Sequence, residues 1–308
     1  MKIIVLGAGA GGGFPQWNCN CGNCRRARAG DPSAVSLTQS SLAVSADGER
    51  WVLLNASPDL RRQIELTPAL QPQTAGRSSP IVGAVLCNAD VDHTAGLLTM
   101  REMQPLAVYA TPRVLDVLAR NAMFNVLNAK LVERRPLTVD HPSELLDRYG
   151  QSTGLRVEAF TVPGKVALWL EQIDAENFGS VPEDTVGLKI SDLAGTKSFF
   201  YIPGCASMPP ELAARLTGAG LVMFDGTTYA DNEMIVAGFS DKTASRMGHM
   251  SMAGTNGSLN ALGPLGIGRR VYVHINNTNP TLLGDTLERR VVEAAGWEVG
   301  FDGMEILL

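Results

Sequence analysis

An apolar run that ends in acidic and histidine residues constrains this chain more than any other feature. Residues 81–88 read IVGAVLCN and predict a buried strand. The chain continues as NADVDHTAGL over 88–97, so Asp90, Asp92 and His93 follow the strand directly. A turn in this position holds its side chains over the carboxyl end of the strand. We therefore expect these three side chains to face one cavity.

The residues of this turn leave two interpretations open. An adjacent aspartate and histidine at a strand end, here Asp92 and His93, is a common arrangement for binding a divalent cation. Alternatively, the turn is a solvated polar segment before a helix, with Asp92 as the N-cap residue. The other motifs of the chain favour the first interpretation.

The rest of the chain consists of apolar runs separated by turn residues, a pattern that predicts strands and a few helices. Thr111 and Pro112 are typical of a helix start, as N-cap and first helical residue. Helices are predicted at 57–66, 94–103 and 111–121. Strands are predicted at 2–7, 40–46 and 50–57 (a β-hairpin), 81–88, 106–110, 155–164, 186–192, 197–204, 220–226 and 269–277. This order predicts a layered α/β fold, or α+β sandwich, with two sheets inside.

The chain shows no internal boundary between domains. No linker rich in Ser, Gly and Pro divides its 308 residues, so we expect a single domain over 1–308. Its hydrophobic fraction of 45% is enough for a sizeable core. Residues 165–187 have no clean period and contain turn residues, which indicates a lid or an insertion.

Composition excludes several classes of function. The net charge of −5 and the lack of a basic run argue against a nucleic-acid partner, which would require clustered Lys and Arg. The N-terminal apolar run is too short for a signal peptide. No window approaches the ~20 apolar residues of a membrane span. We therefore expect a cytoplasmic protein without a membrane span.

Three cysteines near the N-terminus have the spacing of a zinc site. Cys19, Cys21 and Cys24 form C-x-C-x-x-C within a loop at about 18–25 that is rich in Gly and Asn. Such a turn points successive thiolates inward, and thiolate sulfur suits Zn²⁺. We expect a structural zinc ion that ties this loop to the body of the protein.

Two other interpretations of the cysteine cluster exist, and its fourth zinc ligand is not identified. A cluster of free thiols fits the sequence less well, and a redox pair less well still, because C-x-x-C redox pairs normally open a helix after a strand. The fourth zinc ligand is not fixed, and His249 and His274 are the candidates. Cys87 and Cys205 lie beside predicted strand ends and are expected to be core residues.

Several other polar residues have two interpretations each. The glycines of GAGAGG have dinucleotide-site spacing, but Phe14 and Pro15 follow where a helix should begin, so a glycine loop beside a cavity fits better. Its open amides would suit substrate carboxylates. Lys165 and Lys242 would suit an anionic substrate, although lone charges are usually solvated. Asp225 and Thr227 follow a predicted strand, where they would either line the cavity or hold a ligand histidine. His141 is expected to have a structural or exposed role.

Six motifs together resemble one family over nearly the whole chain. They are MKIIVLGAGAGGGFPQWNCNCGNC, NADVDHTAGLLTMRE, YIPGC, FDGTTYADNEM, GHMSM and HINNTNP. They are similar to the pyrroloquinoline quinone (PQQ) biosynthesis protein B family, a branch of the metallo-β-lactamase superfamily. The resemblance implies an αββα four-layer fold and a zinc-binding cysteine loop.

The resemblance also implies that one of two superfamily metal sites is lost. In two-metal hydrolases the first metal takes two histidines of the turn and a third from a later loop. Those places hold Asn88, Asp90 and Lys165 here, and a lysine repels a cation. The aspartate that bridges two metals corresponds to Cys205.

The second metal site is implied to be intact. Its ligands correspond to Asp92, His93 and His274. Two histidines and a carboxylate on one face are the ligand set of non-haem Fe(II) oxygenases, although a zinc hydrolase also works with such a set. Loss of the two-metal arrangement disfavours hydrolysis. We add Asp90 and His249 to the candidate catalytic residues, since His249 lies where related phosphodiesterases carry a general-acid histidine.

The resemblance implies a role in making PQQ, with Zn²⁺ as structural and Fe²⁺ as catalytic metal. A tyrosine-derived ring must gain oxygen, so we expect an Fe(II)- and O₂-dependent hydroxylase acting on the cross-linked Glu-Tyr precursor. One alternative is a carrier that binds PQQ or its precursor for transport to the periplasm, and a second is a zinc hydrolase. The expected partners are the precursor or PQQ, O₂ and other enzymes of the pathway.

Overall fold

Two mixed β-sheets form the centre of the protein in the computed structural model, which describes residues 1–172, 174–175 and 179–308. In this part of the chain each sheet has seven strands. The first contains β1 (Lys2–Gly7), β2 (Ser41–Ser45), β3 (Trp51–Leu54), β4 (Ile81–Val85), β5 (Leu106–Ala110), β6 (Val132–Pro136) and β14 (Glu305–Leu307). The second contains β7 (Ser143–Leu146), β8 (Ser152–Thr161), β9 (Val186–Asp192), β10 (Ser198–Ile202), β11 (Leu221–Asp225), β12 (Arg269–Val273) and β13 (Trp297–Val299).

Each sheet has an antiparallel half and a parallel half. The first runs β14-β1-β2-β3-β4-β5-β6 and is parallel from β3 to β6. The second runs β13-β12-β11-β10-β9-β8-β7 and is parallel from β10 to β13. Parallel neighbours need crossover connections, which contain most of the helices. The described helices are α1 (Gly22–Arg28), α2 (Leu60–Leu66), α3 (Val91–Thr94), α4 (Pro112–Arg120), α5 (Pro210–Leu216), α6 (Glu233–Val236), α7 (Ser258–Leu262) and α8 (Leu287–Ala294).

Burial on both faces of the sheets produces a helix–sheet–sheet–helix order. In β1, Ile3 and Val5 belong to a core that also contains residues of the second sheet, whereas Ile4 and Leu6 pack with the helices outside the first sheet. Alternate side chains along the strand therefore pack into two separate apolar layers, one on each face of the sheet. The predicted αββα four-layer fold is confirmed. Within the described residues no helix is long and apolar enough to cross a membrane.

Most predicted elements are confirmed, and the first of two differences has a clear cause. The predicted hairpin pairs β2 with antiparallel β3, and Thr111 caps α4 by accepting a hydrogen bond from the Val114 amide. The predicted helix at 94–103 is instead a 3₁₀ segment, Ala95–Arg101. The amide of Gly96 donates to the carbonyl of Ala56 rather than to its own helix, so the segment is tied to the loop after β3.

The cysteine segment also differs from its predicted loop. Helix α1 begins at Gly22, because the Cys21 sulfur caps it by accepting a hydrogen bond from the Cys24 amide at 3.4 Å. The predicted lid or insertion at 165–187 falls partly outside the described residues. Its described part places Lys165 and Leu168 at the edge of a cavity, beside the carboxyl ends of the parallel strands.

Candidate metal centre and active-site cavity

Three side chains from two distant parts of the chain meet at the carboxyl ends of β4 and β12. Asp92 and His93 lie in α3, which follows β4, and His274 follows β12 directly. Their ligand atoms lie within 4.8 Å of one another. Oδ2 of Asp92 is 3.0 Å from Nε2 of His274 and 3.9 Å from Nε2 of His93. The three residues predicted to bind the catalytic metal are thus brought together.

The backbone around these residues is tightly held. The carbonyl of His93 accepts a hydrogen bond from the Ala56 amide at 2.7 Å, which fixes α3 against the loop after β3. His274 has a φ of 56°, in the left-handed region that residues other than glycine rarely adopt. Such a conformation persists only where surrounding contacts determine it, and it often marks a functional position.

His93 is buried with one free ring nitrogen. Its Nδ1 lies 2.7 Å from Oδ1 of Asn88. Its Nε2 is buried and has no hydrogen-bond partner among the residues that the structure describes. A buried nitrogen without a partner is costly unless something occupies its lone pair. This atom is aimed at Asp92 and His274, where a cation would satisfy it.

His274 is oriented by a hydroxyl and a carboxylate. Oγ1 of Thr227 lies 2.8 Å from Nδ1 of His274 and 2.7 Å from Oδ1 of Asp225. The hydroxyl donates its one hydrogen to the carboxylate and accepts from the imidazole. Nε2 of His274 is therefore left to face Asp92, and the sequence-based suggestion that Asp225 and Thr227 hold a ligand histidine fits this arrangement.

A second histidine–aspartate pair stands beside the cluster. Nδ1 of His249 donates to Oδ2 of Asp225 at 2.8 Å, and its ring stacks on that of His274 with centroids 5.2 Å apart. Because Asp225 accepts at Nδ1, the Nε2 of His249 carries the free lone pair. His249 lines the cavity, so this nitrogen is placed to accept or return a proton there.

Burial and close charges set the protonation of the cluster. Burial raises the pKa of Asp92, but the charge of His93 and the hydrogen bond from His274 outweigh it, so that the pKa lies below its usual range. Burial lowers the pKa of His93 to about 4. Burial also lowers the pKa of His274, but its hydrogen bond to Asp92 outweighs this, and the net pKa is raised. Near neutral pH the cluster thus offers a carboxylate and a neutral imidazole.

The positions corresponding to a first metal site have other partners. Nζ of Lys165 lies 2.6 Å from Oε1 of Glu171, whose other oxygen accepts from Arg246 at 3.1 Å. Asp90 lines the cavity and accepts from the Leu168 amide at 3.3 Å. Burial, together with the nearby charge of Asp92, raises the pKa of Asp90. Asp90 is not part of the three-residue cluster.

The cluster lies in a cavity of about 460 Å³ with a mixed lining. Apolar side chains form part of its wall, namely Leu168, Met234, Phe239 and Met247. Lys165 and Lys242 supply positive charge, and Ala10 and Gly11 bring the N-terminal glycine loop to its edge. Size and lining suit a small molecule with a ring and anionic groups. The sequence singled out the two lysines and the glycine loop but not the apolar wall, which has no motif.

The three N-terminal cysteines also converge. Their sulfurs lie within 4.8 Å of one another. Backbone amides of Cys21 and Cys24 donate to neighbouring sulfurs at 3.4 Å, as around thiolates that bind a metal. Nδ2 of Asn277 lies 3.1 Å from the Cys19 sulfur and 3.4 Å from that of Cys24.

The fourth position of the cysteine cluster differs from the prediction. The two predicted candidates, His249 and His274, both lie at the other cluster, because Asp225 and Thr227 hold them there. The carboxamide of Asn277 lies against the sulfurs instead and donates hydrogen bonds to them. Sequence reasoning missed it, although its position three residues after His274 in HINNTNP is a usable signal.

The remaining residues noted in the sequence lie outside the metal cluster or support it indirectly. Cys205 and Cys87 are buried, and burial raises the pKa of the Cys205 thiol to about 12. The amide of Cys205 donates to Oδ2 of Asp225 at 3.0 Å, so this position supports the carboxylate behind His249. His141 is exposed, as expected. Asp92 does not cap α3, since the N-cap residue is Asp90; the N-cap interpretation is wrong.

Comparisons with known proteins agree with this fold. The beta-lactamase superfamily domain matches residues 50–275. Coenzyme PQQ synthesis protein B of Gluconacetobacter diazotrophicus is 51% identical over 308 residues, which cover 99% of each chain. The protein of the same name from Methylobacterium nodulans is 51% identical over the full length of both chains.

Solved structures also match the fold of this chain. A 1.98 Å crystal structure of Zn²⁺-bound PqqB from Methylobacterium extorquens is 49% identical, with a TM-score of 0.94 over 100% of both chains. A diphosphatase from the PhnP family is 18% identical, with a TM-score of 0.68 over 99% of this chain and 96% of its own, and shares the fold. The chain belongs to the coenzyme PQQ synthesis protein B (PqqB) family, a branch of the metallo-β-lactamase superfamily.

Proposed function

We propose that this chain acts in PQQ biosynthesis as an Fe(II)- and O₂-dependent hydroxylase of the tyrosine-derived ring in the cross-linked Glu-Tyr precursor. The observation that carries the proposal is the buried Nε2 of His93, which lacks a partner in the described part of the chain and faces Asp92 and His274. Two imidazoles and one carboxylate on one side of a cavity are the donor set of mononuclear Fe(II) oxygenases. Names of relatives at 51% identity support the pathway.

The donor set fits the metal without further residues. Asp92, His93 and His274 would hold Fe(II) from one side and leave its cavity side open. Iron bound there would supply the activation of O₂ that an aromatic ring cannot achieve alone. Lys165 is engaged by Glu171 and bears positive charge, which opposes a second cation at the neighbouring position.

The chain's own residues orient the substrate and move its proton. The apolar side chains of Phe239 and Met247 in the cavity wall would pack against the ring. Lys242 forms no ion pair with any residue in the described ranges, so it is free to bind a substrate carboxylate. Nε2 of His249, backed by Asp225, accepts the proton of the ring hydroxyl.

We also propose that the cysteine cluster holds a structural zinc ion. Three sulfurs within 4.8 Å of one another and the amide hydrogens around them fit a bound thiolate set. The Zn²⁺-bound PqqB from M. extorquens supports zinc as the metal. Its role here is to tie α1 to the loop after β12.

Anaerobic reconstitution tests the hydroxylase directly. The metal-free protein is loaded with Fe(II), mixed with precursor and a reductant, and exposed to ¹⁸O₂. One labelled oxygen atom should enter the ring, while the other leaves as water with two electrons from the reductant. Binding of PQQ with no O₂ consumed would favour the carrier. Cleavage of the precursor with Zn²⁺ in the absence of O₂ would favour the hydrolase.

A further inference from the structure

We infer that Asn88 is a positioning residue, which fixes the tautomer of His93 so that its Nε2 is available to the metal. The inference rests on the proposed metal centre but not on hydroxylation. Asn88 is buried, with 6% of its surface exposed, in the middle of the segment that leads from β4 to α3. Its carboxamide lies between a backbone amide and the ring of His93.

The backbone amide determines which way the carboxamide points. Oδ1 of Asn88 lies 3.1 Å from the amide nitrogen of Asp90. A backbone N–H can only donate, so the side-chain atom facing it must be the oxygen and not the NH₂ group. The orientation of the carboxamide is therefore set without reference to the histidine.

The same oxygen then determines the tautomer of His93. It lies 2.7 Å from Nδ1 of His93, and an amide oxygen can only accept. Nδ1 therefore carries the hydrogen. In a neutral imidazole the lone pair is then on Nε2, the buried atom that faces Asp92. One carboxamide oxygen thus connects the backbone of the turn to the lone pair that a cation would use.

This gives a function to a position that the two-metal pattern leaves unused. Asn88 corresponds to a histidine of the lost first site, but here its oxygen orients a ligand of the remaining one. A histidine at 88 would not simply restore a metal ligand. It would remove the carboxamide oxygen that accepts the Nδ1 hydrogen of His93, and a histidine nitrogen that binds a metal cannot accept that hydrogen in its place.

The test compares Asn88→Ala with the oxygen-retaining Asn88→Asp. In metal-free protein, ¹⁵N NMR distinguishes the two neutral tautomers, and the chain has only 4 histidines to assign. We expect the Nδ1–H form in the wild type and in Asn88→Asp, and a shift to the Nε2–H form in Asn88→Ala. Affinity for Fe²⁺ or Co²⁺ under anaerobic dialysis should fall about 10–100-fold in Asn88→Ala alone.

The outcomes separate this inference from the proposed function. The Nε2–H form in the wild type, or an unchanged tautomer in a folded Asn88→Ala, would overturn it. If Asn88→Ala does not fold, Asn88→Ser replaces it, because serine is too short to reach the ring. A wild type with the expected tautomer and metal affinity but no hydroxylation would leave the positioning role intact and reject the hydroxylase.

Discussion

Nε2 of His274 lies 3.0 Å from Oδ2 of Asp92, a residue 182 positions earlier in the chain. A contact of this length between an imidazole nitrogen and a carboxylate oxygen requires a hydrogen between them. In the metal-free protein a proton therefore holds together the two groups that a cation would bridge. Metal and proton compete for the same place.

Metal binding should release this proton. Calorimetric titration of metal-free protein with Fe²⁺ or Zn²⁺ near pH 7, in two buffers of different ionisation enthalpy, should show about one proton released per metal at this site. Affinity should rise with pH, because the proton is then lost more easily. Metal binding with no buffer dependence of the heat would contradict the shared proton.

Single substitutions at the cluster should abolish iron binding and hydroxylation together. His93→Ala or Asp92→Ala removes one of three ligands, so the loss of affinity should exceed the about 10–100-fold that loss of an orienting partner causes. Fe²⁺ content after dialysis and product formation are the measurements. The exposed His141 supplies the control, since His141→Ala should change neither. Full activity in His93→Ala would show that the metal lies elsewhere.

Thr227→Val tests the hydroxyl between Asp225 and His274. Valine has nearly the same shape but cannot accept the hydrogen of Nδ1, so metal affinity should fall about 10–100-fold. The neighbouring Thr228 is a matched control, because its buried hydroxyl has no hydrogen-bond partner within the described residues. Thr228→Val should leave metal affinity unchanged. Equal affinities of the two variants would remove Thr227 from any orienting role.

Cys21→Ser should lower both zinc content and stability. Structural zinc contributes folding free energy, on the order of 10 kcal/mol in small zinc peptides, although a large core limits the loss here. Metal analysis and thermal unfolding measure the two effects. Cys87→Ala is the control, since Cys87 is buried away from the cluster and should leave zinc content unchanged. Wild-type protein purified without zinc would refute the structural role.

Glu171 should make the protein sensitive to acid. Burial raises its pKa, but hydrogen bonds from Arg246 and Lys165 outweigh this and lower the pKa from 4.5 to about 2. A group with a depressed folded-state pKa contributes stability above its unfolded pKa and loses it as pH falls. Between pH 4.5 and 2 the melting temperature should fall less steeply in Glu171→Gln than in the wild type. Glu49→Gln, at an exposed position, should follow the wild-type slope.

The sequence predicts ten of the fourteen described strands, because most of these ten are apolar runs bounded by turn residues. It misses the short edge strands β6, β7, β13 and β14, in which charged or polar residues interrupt the apolar pattern. It also predicts Asp92, His93 and His274 through their motifs. Tertiary contacts decide what it misses. The helix predicted at 94–103 becomes a 3₁₀ segment because the amide of Gly96 is bonded to Ala56, far away in sequence.

The sequence motifs also do not reveal roles that depend on contacts between residues far apart in the chain. Asn277 shows its relation to the cysteines only once the chain has folded, since it lies 258 positions from Cys19. In the sequence, Asn88 is notable only because it replaces a histidine ligand of the lost first metal site. Its contact with the ring of His93 needs coordinates, because the direction of a carboxamide cannot be read from spacing.

The loop from His274 to Asn277 connects the cysteine cluster to the cavity, so loss of metal from one site should affect the other. His274 faces the candidate active-site cavity, and three residues later Asn277 contacts the cysteine sulfurs, while Asn23 of α1 donates to the Asn277 carbonyl at 3.1 Å. If the cysteine cluster holds the proposed zinc ion, a chelator strong enough to remove it should loosen this loop and displace His274, a proposed ligand of the other site. Iron added afterwards would then meet a disordered centre. Preparations that differ only in zinc content would differ in apparent turnover, so metal analysis of both sites belongs beside every rate.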